Sequence, residues 1–185
     1  MPRPKTISDS LVLDAAHRLI HEHGPDGLTF GRLAAACGLA TSTLVQRFAT
    51  KADLIQRTLV YAWDALASRT ARLGAEAPKT PEGAIQILVA LSGDYGGIES
   101  YADGLLVLRE DIRAPVLRAR GAAWNAALSS LLDDCFAATP DAPRDIGRLL
   151  AAQWQGAVLW WSFDPREDVS TFVERSLRRF LAAAL

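Results

Sequence analysis

The chain has 185 residues, half of them apolar and 22% charged, with a formal net charge of −1. Such a composition supplies ample core material and excludes collagen-like, low-complexity and highly charged disordered chains. The charge is unevenly spread: residues 1–51 carry two more basic than acidic side chains, the remainder three fewer, and all three histidines fall in the first part.

Residues 8–23 place Leu11, Ala15 and Leu19 at i, i+4 and i+8, beside Val12, Ala16 and Ile20. That stripe predicts an amphipathic helix, with Ser8 as its N-cap and Gly24-Pro25 as its stop. Thr29 stands before FGRLAAACG as the cap of a short second helix, which Gly38 ends. A third short helix is expected from about Ser42 to Phe48, and a long one from near Lys51 to about Leu73. The stretch GAEAPKTPEG (74–83) breaks the pattern. Helical periodicity then resumes over about 82–92, 98–112, 115–137, 144–163 and 167–184, with prolines at the joints. SGDYGG (92–97) reads as a loop, and no strand pattern of credible length occurs. The fold class expected is all-α.

Two short helices around a tight, Gly-containing turn have helix-turn-helix geometry, in which the second helix enters the major groove of DNA. Leu33, Ala34, Cys37, Leu39, Leu44 and Phe48 would form a small core with Leu19 and Ile20. The second helix then presents Thr41, Ser42, Thr43, Gln46 and Arg47 outward, groups that bond phosphates and base edges. Thr29, Arg32 and Lys51 flank it as further candidate DNA contacts. The basic PRPK (2–5) reads as a tail, with a minor-groove arm as the alternative.

The run LTFGRLAAACGLATSTLVQRFATKADLI (28–55) resembles the signature of the tetracycline-repressor (TetR) family at Thr29, Leu33, Ala34, Gly38, Thr43, Leu44, Phe48, Lys51 and Leu54. The resemblance is specific over roughly residues 8–60. Beyond them it is one of architecture, including Gly156 in a late helix and WSFDP (161–165) before the last one. It implies a DNA-binding domain over 1–50 and a helical effector-binding and dimerisation domain over 51–185. The implied protein is a homodimeric, cytoplasmic repressor, released from a palindromic double-stranded operator by a small molecule of unknown identity. The chain departs from the family at Val45, where a Tyr is usual, and at Gln46 and Arg47, where a Tyr or His is. Ala40 stands in place of the Ser that opens the third helix. Thr41 or Ser42 is therefore expected to cap that helix, and Arg47 to supply the phosphate contact of the absent Tyr.

The second half is rich in bulky apolar residues. Tyr95, Tyr101, Leu105, Trp124, Leu128, Trp154, Val158 and Trp161 are candidates to line a mostly apolar ligand pocket, against the plainer reading of core packing. Gln86, Asn125, Gln153 and Gln155 are polar groups that could orient a ligand, with Arg109 and Glu110 weaker candidates. Ala152, Gln155, Gly156 and Leu159, with Phe172, Ser176, Arg179 and Phe180, lie at helical spacing on the last two helices and are candidates for a dimer seam.

Other classes find little support. No G-x-S-x-G elbow, metal triad or phosphate-cradling glycine loop occurs, so neither an enzyme nor a cofactor is expected. A helical adaptor or ligand-binding protein without DNA-binding activity is the alternative. His17 and His21 have a spacing able to hold a metal, but with His23 they read as a surface cluster and no metal is expected. No apolar run reaches the roughly 18–20 residues of a bilayer span. The N-terminus lacks the apolar stretch of a secretory signal. Cys37 and Cys135, far apart in sequence, fit two reduced thiols better than a disulfide.

Overall fold

The computed structural model describes residues 7–93 and 97–185, and among them are nine helices and no strand. Helix α1 (Asp9–Gly27) opens where the Ser8 hydroxyl accepts from Leu11 N, and breaks at Gly24, whose φ of 70° and ψ of 168° are not helical. Helix α2 (Phe30–Cys37) begins with Thr29 Oγ1 accepting from Arg32 N at 3.1 Å. It ends at Gly38, whose φ of 64° is the left-handed conformation that favours glycine.

Helix α3 spans Thr41–Phe48. Neither Thr41 nor Ser42 caps it, contrary to the sequence expectation. The N-cap position is Ala40, which has no side-chain oxygen to offer, so Thr41 and Ser42 already lie inside the first turn. Ala49 and Thr50 alone join α3 to α4 (Lys51–Glu76), and Thr50 Oγ1 accepts from Asp53 N at 3.1 Å. Helix α5 (Pro81–Ser92) starts with Thr80 as cap and Pro81 in the first turn, where a missing N–H costs nothing. Helices α6 (Ile98–Arg113), α7 (Pro115–Asp134), α8 (Ile146–Trp161) and α9 (Val169–Ala184) complete the chain. Cys135 and Phe136, which extended the α7 pattern in the sequence, are buried in the turn after it.

The chain forms two compact units. One comprises the described residues up to Ala65 together with Ala102–Arg120, the other Leu66–Tyr101 with Gly121–Leu185. In the first unit α2 packs against both α1 and α3. Its core holds Val12, Ala16, Ile20, Leu28, Leu33, Leu44, Phe48, Leu54 and Leu59, joined by Leu117 from α7. In the second unit α5, α8 and α9 pack on one another. Around them are buried Leu88, Leu128, Leu132, Trp154, Val158, Trp161, Val173 and Leu177. No described helix is long and apolar enough to cross a membrane.

Candidate nucleic-acid interface

Helix α3 is held by two side chains with no exposed surface, Leu44 and Phe48. Fully burying each is worth roughly 1.5–3 kcal/mol, enough to fix how deeply an eight-residue helix sits. Four residues apart on one face, they leave Thr41, Ser42, Val45 and Gln46 exposed on the other, with Thr43 half-buried at the flank. The exposed face thus carries two hydroxyls, an amide and a branched methyl group. Val45, 42% exposed, was not among the contacts anticipated from sequence. A valine methyl is the kind of group that meets a thymine methyl in the major groove. Because Ala40 offers no side-chain cap, the free N–H groups of the first turn add the positive end of the helix dipole to this face.

The flanking cations are tied into the fold. Arg47 turns towards the start of α1, where its Nη1 donates to Ile7 O at 2.8 Å and to Asp9 Oδ1 at 3.3 Å. Lys51 Nζ donates to Asp26 O at 2.7 Å, and Arg32 Nη1 to Gly27 O at 2.9 Å, both at the end of α1. Thr29 spends its acceptor on the α2 cap. PRPK (2–5) lies outside the described residues.

Sequence reading missed Arg57. It lies on α4, donates from Nη1 to Arg47 O at 2.9 Å and from Nη2 to Asp9 Oδ2 at 3.3 Å, and sits 4.7 Å over the Phe48 ring. No local pattern announces a contact between residues 48 apart.

His17 and His21 point Nε2 to Nε2 at 3.1 Å, edge to face. Burial first, then His21, lowers the His17 pKa from 6.5 to about 4. Among the described residues no group of three or more His, Cys, Asp or Glu side chains could hold a metal ion.

In the second unit the aromatic candidates form packed core. Tyr101, Leu128, Trp154, Val158 and Trp161 are buried together, with Trp124 packed against them. The Trp124 and Trp154 rings lie 6.3 Å apart, and Tyr101 meets Trp161 edge-on at 6.4 Å. Each indole N–H has an acceptor: Trp124 donates to Thr70 Oγ1 at 3.0 Å, Trp154 to Ser92 Oγ at 2.8 Å, and Trp161 to Glu167 O at 2.8 Å. Leu105 is not among them; it belongs to the first unit and is 42% exposed. Tyr95 lies outside the described residues. Gln86, Asn125 and Gln155 are exposed, while Gln153 donates to Ser176 Oγ at 3.0 Å.

On α8, Ala152, Gln155 and Leu159 are exposed, and a Cβ at Gly156 would meet nothing within 4 Å. On α9, Arg179 is exposed and Phe172, Ser176 and Phe180 are half-buried. Gln153, Phe172, Arg175, Ser176, Arg179 and Phe180 line an open groove of about 380 Å³.

Residues 12–58 match the model of the bacterial regulatory proteins of the tetR family. No curated protein matches the chain. Among solved structures, a regulator of Saccharomonospora viridis in complex with choline is 20% identical, covers 92% of this chain and 93% of its own, and superposes with a TM-score of 0.71. A TetR-family regulator of Mesorhizobium loti MAFF303099 is 20% identical over 96% of this chain and 98% of its own, with a TM-score of 0.69. The multidrug binding protein EbrR, complexed with malachite green, is 22% identical over 94% and 98%, with a TM-score of 0.64. At such identities these likenesses are of fold. A short helix with a polar outer face, braced by a second across a glycine turn, defines a helix-turn-helix DNA-binding regulator. Over residues 12–58 the chain carries the amino-terminal DNA-binding domain of the tetR family of bacterial regulatory proteins.

Proposed function

We propose that the chain is a repressor that binds a palindromic operator as a homodimer and is released from it by a small, mostly apolar ligand. The observation that carries the reading is the α3 face of Thr41, Ser42, Val45 and Gln46, held outward by the buried Leu44 and Phe48. One such helix contacts few base pairs, so specific binding calls for two half-sites about one helical turn apart. Two-fold related copies then demand a two-fold related operator. Thr29, Arg32, Arg47 and Lys51 serve as phosphate contacts with the donor hydrogens that their internal bonds leave over.

Dimerisation is assigned to α8 and α9, to Ala152, Gln155, Gly156 and Leu159 on the first and to the groove at Phe172, Ser176, Arg179 and Phe180 on the second. The ligand site is assigned to the core around Trp124, Trp154 and Trp161. Because those indoles are packed and hydrogen-bonded, a ligand enters by displacing them rather than by filling a waiting cavity. Choline and malachite green, each bound by a protein of similar fold, are reasonable first probes. Helix α4 contributes residues to both units and is the covalent route by which such a displacement reaches the DNA-binding side. By linkage, a ligand that weakens DNA binding is itself weakened by DNA to the same factor, typically five- to 150-fold.

The test is selection of duplexes from a random-sequence library, followed by mobility shift with and without added ligand. Enrichment of an inverted repeat, and its release by a compound that quenches tryptophan fluorescence, is expected. No enrichment would remove the DNA reading. Quenching without release would leave a ligand site without a switch.

A further inference from the structure

We propose that Arg57 is the positioning residue of the recognition helix: it sets the orientation of α3 for sequence-specific binding without contacting DNA. The inference rests on the assignment of α3 as the DNA-reading element. An isolated eight-residue helix is not stable, so α3 takes its direction from whatever grips it. Leu44 and Phe48 fix its depth, but two apolar side chains leave a short helix free to rock, and nothing caps its first turn. The grip lies at its other end.

There the Arg57 guanidinium meets three elements. Nη1 takes the Arg47 carbonyl, one of the acceptors that the end of a helix leaves without an intrahelical donor. Nη2 takes Asp9 Oδ2 in the first turn of α1, and the guanidinium carbon stands over the ring of Phe48. The second Asp9 oxygen holds Arg47, which also reaches Ile7 O. Asp9 is therefore shared by two guanidinium groups, and the end of α3 is fastened to α1 and α4 together. A cation at this end also opposes the negative pole of the helix dipole. Only a planar fork donates in two directions while stacking on a ring, so lysine cannot do the same work.

The test compares Arg57→Ala, Arg57→Lys and Asp9→Asn with the unmodified protein. The probes are the duplex that the unmodified protein enriches most from a random library, a shuffled duplex and poly(dI-dC). We expect Arg57→Ala to cut the preference for the selected over the shuffled duplex by about tenfold or more, since a tilted helix mispairs several base contacts at once. Binding to poly(dI-dC) at low salt and the slope of log affinity against log salt should be unchanged, because no phosphate contact is lost. Arg57→Lys should not restore discrimination, and Asp9→Asn should reduce it in the same direction. Circular dichroism identifies any variant that fails to fold; the same expectation then rests on the variants that do.

A salt slope lowered by about one, with recovery in Arg57→Lys, would make Arg57 a phosphate contact and overturn the proposal. Full discrimination in folded variants would overturn it as well while leaving α3 as the reading element. If the unmodified protein enriches no duplex, the DNA reading falls and this proposal with it.

Discussion

The indole N–H of Trp154 donates to the hydroxyl of Ser92 at 2.8 Å, and that hydroxyl donates to Leu88 O at 2.8 Å, both residues being buried. The two side chains come from α8 and α5, so the bond ties together the helices that carry the core of the second unit. Ser92→Ala removes the acceptor and should destabilise the protein by about 1–2 kcal/mol, read as a lower urea midpoint. If ligand entry displaces Trp154, the same variant should also quench more readily with added ligand. An unchanged midpoint would show that the bond contributes nothing net.

A second prediction concerns the joint between α3 and α4. Ala49 has φ of 49° and ψ of −58°, and Thr50 N donates back to Phe48 O, which makes this a γ-turn of the rare positive-φ kind. Alanine in such a conformation is strained by about 1–3 kcal/mol, and glycine relieves it at a cost of roughly 0.5–1 kcal/mol in unfolded-state freedom. Ala49→Gly should therefore raise the melting temperature, and Ala49→Val should lower it. A lower melting point for the glycine variant would show that the turn is not strained.

His17 gives a pH dependence. Its folded pKa of about 4, lowered first by burial and then by His21, lies below the unfolded value of 6.5. Between these values the unfolded chain binds the proton and the folded one does not, so stability falls as pH drops from 6.5 towards 4. The contribution is complete above pH 6.5 and amounts to on the order of 1–2 kcal/mol after screening of a half-buried ring. NMR titration of the imidazole should find the low pKa, and His17→Gln should flatten the slope of stability over that window. A His17 titration near 6.5 would refute this.

Two glycines of α8 should behave oppositely. A Cβ on Gly147 would lie 2.2 Å from Ser129 O and 2.7 Å from Asp133 N, backbone atoms that cannot step aside, so Gly147→Ala should destabilise the fold itself. Gly156 faces open space. Gly156→Glu should leave the melting of the subunit nearly intact while dissociating the proposed dimer, because the carboxylate would be buried unpaired in the seam. Light scattering at micromolar concentration reads the difference; a dimer that survives Gly156→Glu puts the seam elsewhere.

Lys51 lies beside α3, with Nζ on Asp26 O. Lys51→Ala should lower affinity for all duplexes alike and reduce the salt slope by about one. If both are unchanged, Lys51 serves only to fasten the end of α1.

What the sequence revealed was what neighbours in the chain decide. Ser8, Thr29 and Gly38 act on backbone groups within a few residues of themselves, and they stand at the helix ends where their types predicted. Leu44 and Phe48, one turn apart, marked the buried face of α3 and by elimination its exposed one. The start of α3 was misjudged because a capping hydroxyl was sought where the chain has only Ala40. The Trp154–Ser92 bond joins residues 62 apart and the Arg57–Asp9 pair residues 48 apart, and no periodicity relates such positions. Arg47 shows the limit well. Its place on the helix was legible, but Ile7, 40 residues earlier, decides where the guanidinium points.

Leu117, 2% exposed, is buried among residues of the first unit although the rest of α4 and the whole of α5 and α6 separate it from Leu59 in the chain. The DNA-binding unit is thus not a cassette that can be cut from the front of the chain. A chimera joining residues 1–65 to a foreign effector domain would leave Leu59 and its neighbours without Leu117 and without the Trp63 indole's acceptor, Asp111, 3.0 Å away. Recombination that respects this architecture must carry residues 102–120 along with the amino-terminal helices. Exchanging the second unit of such a chain therefore takes cuts at three places in the sequence rather than one.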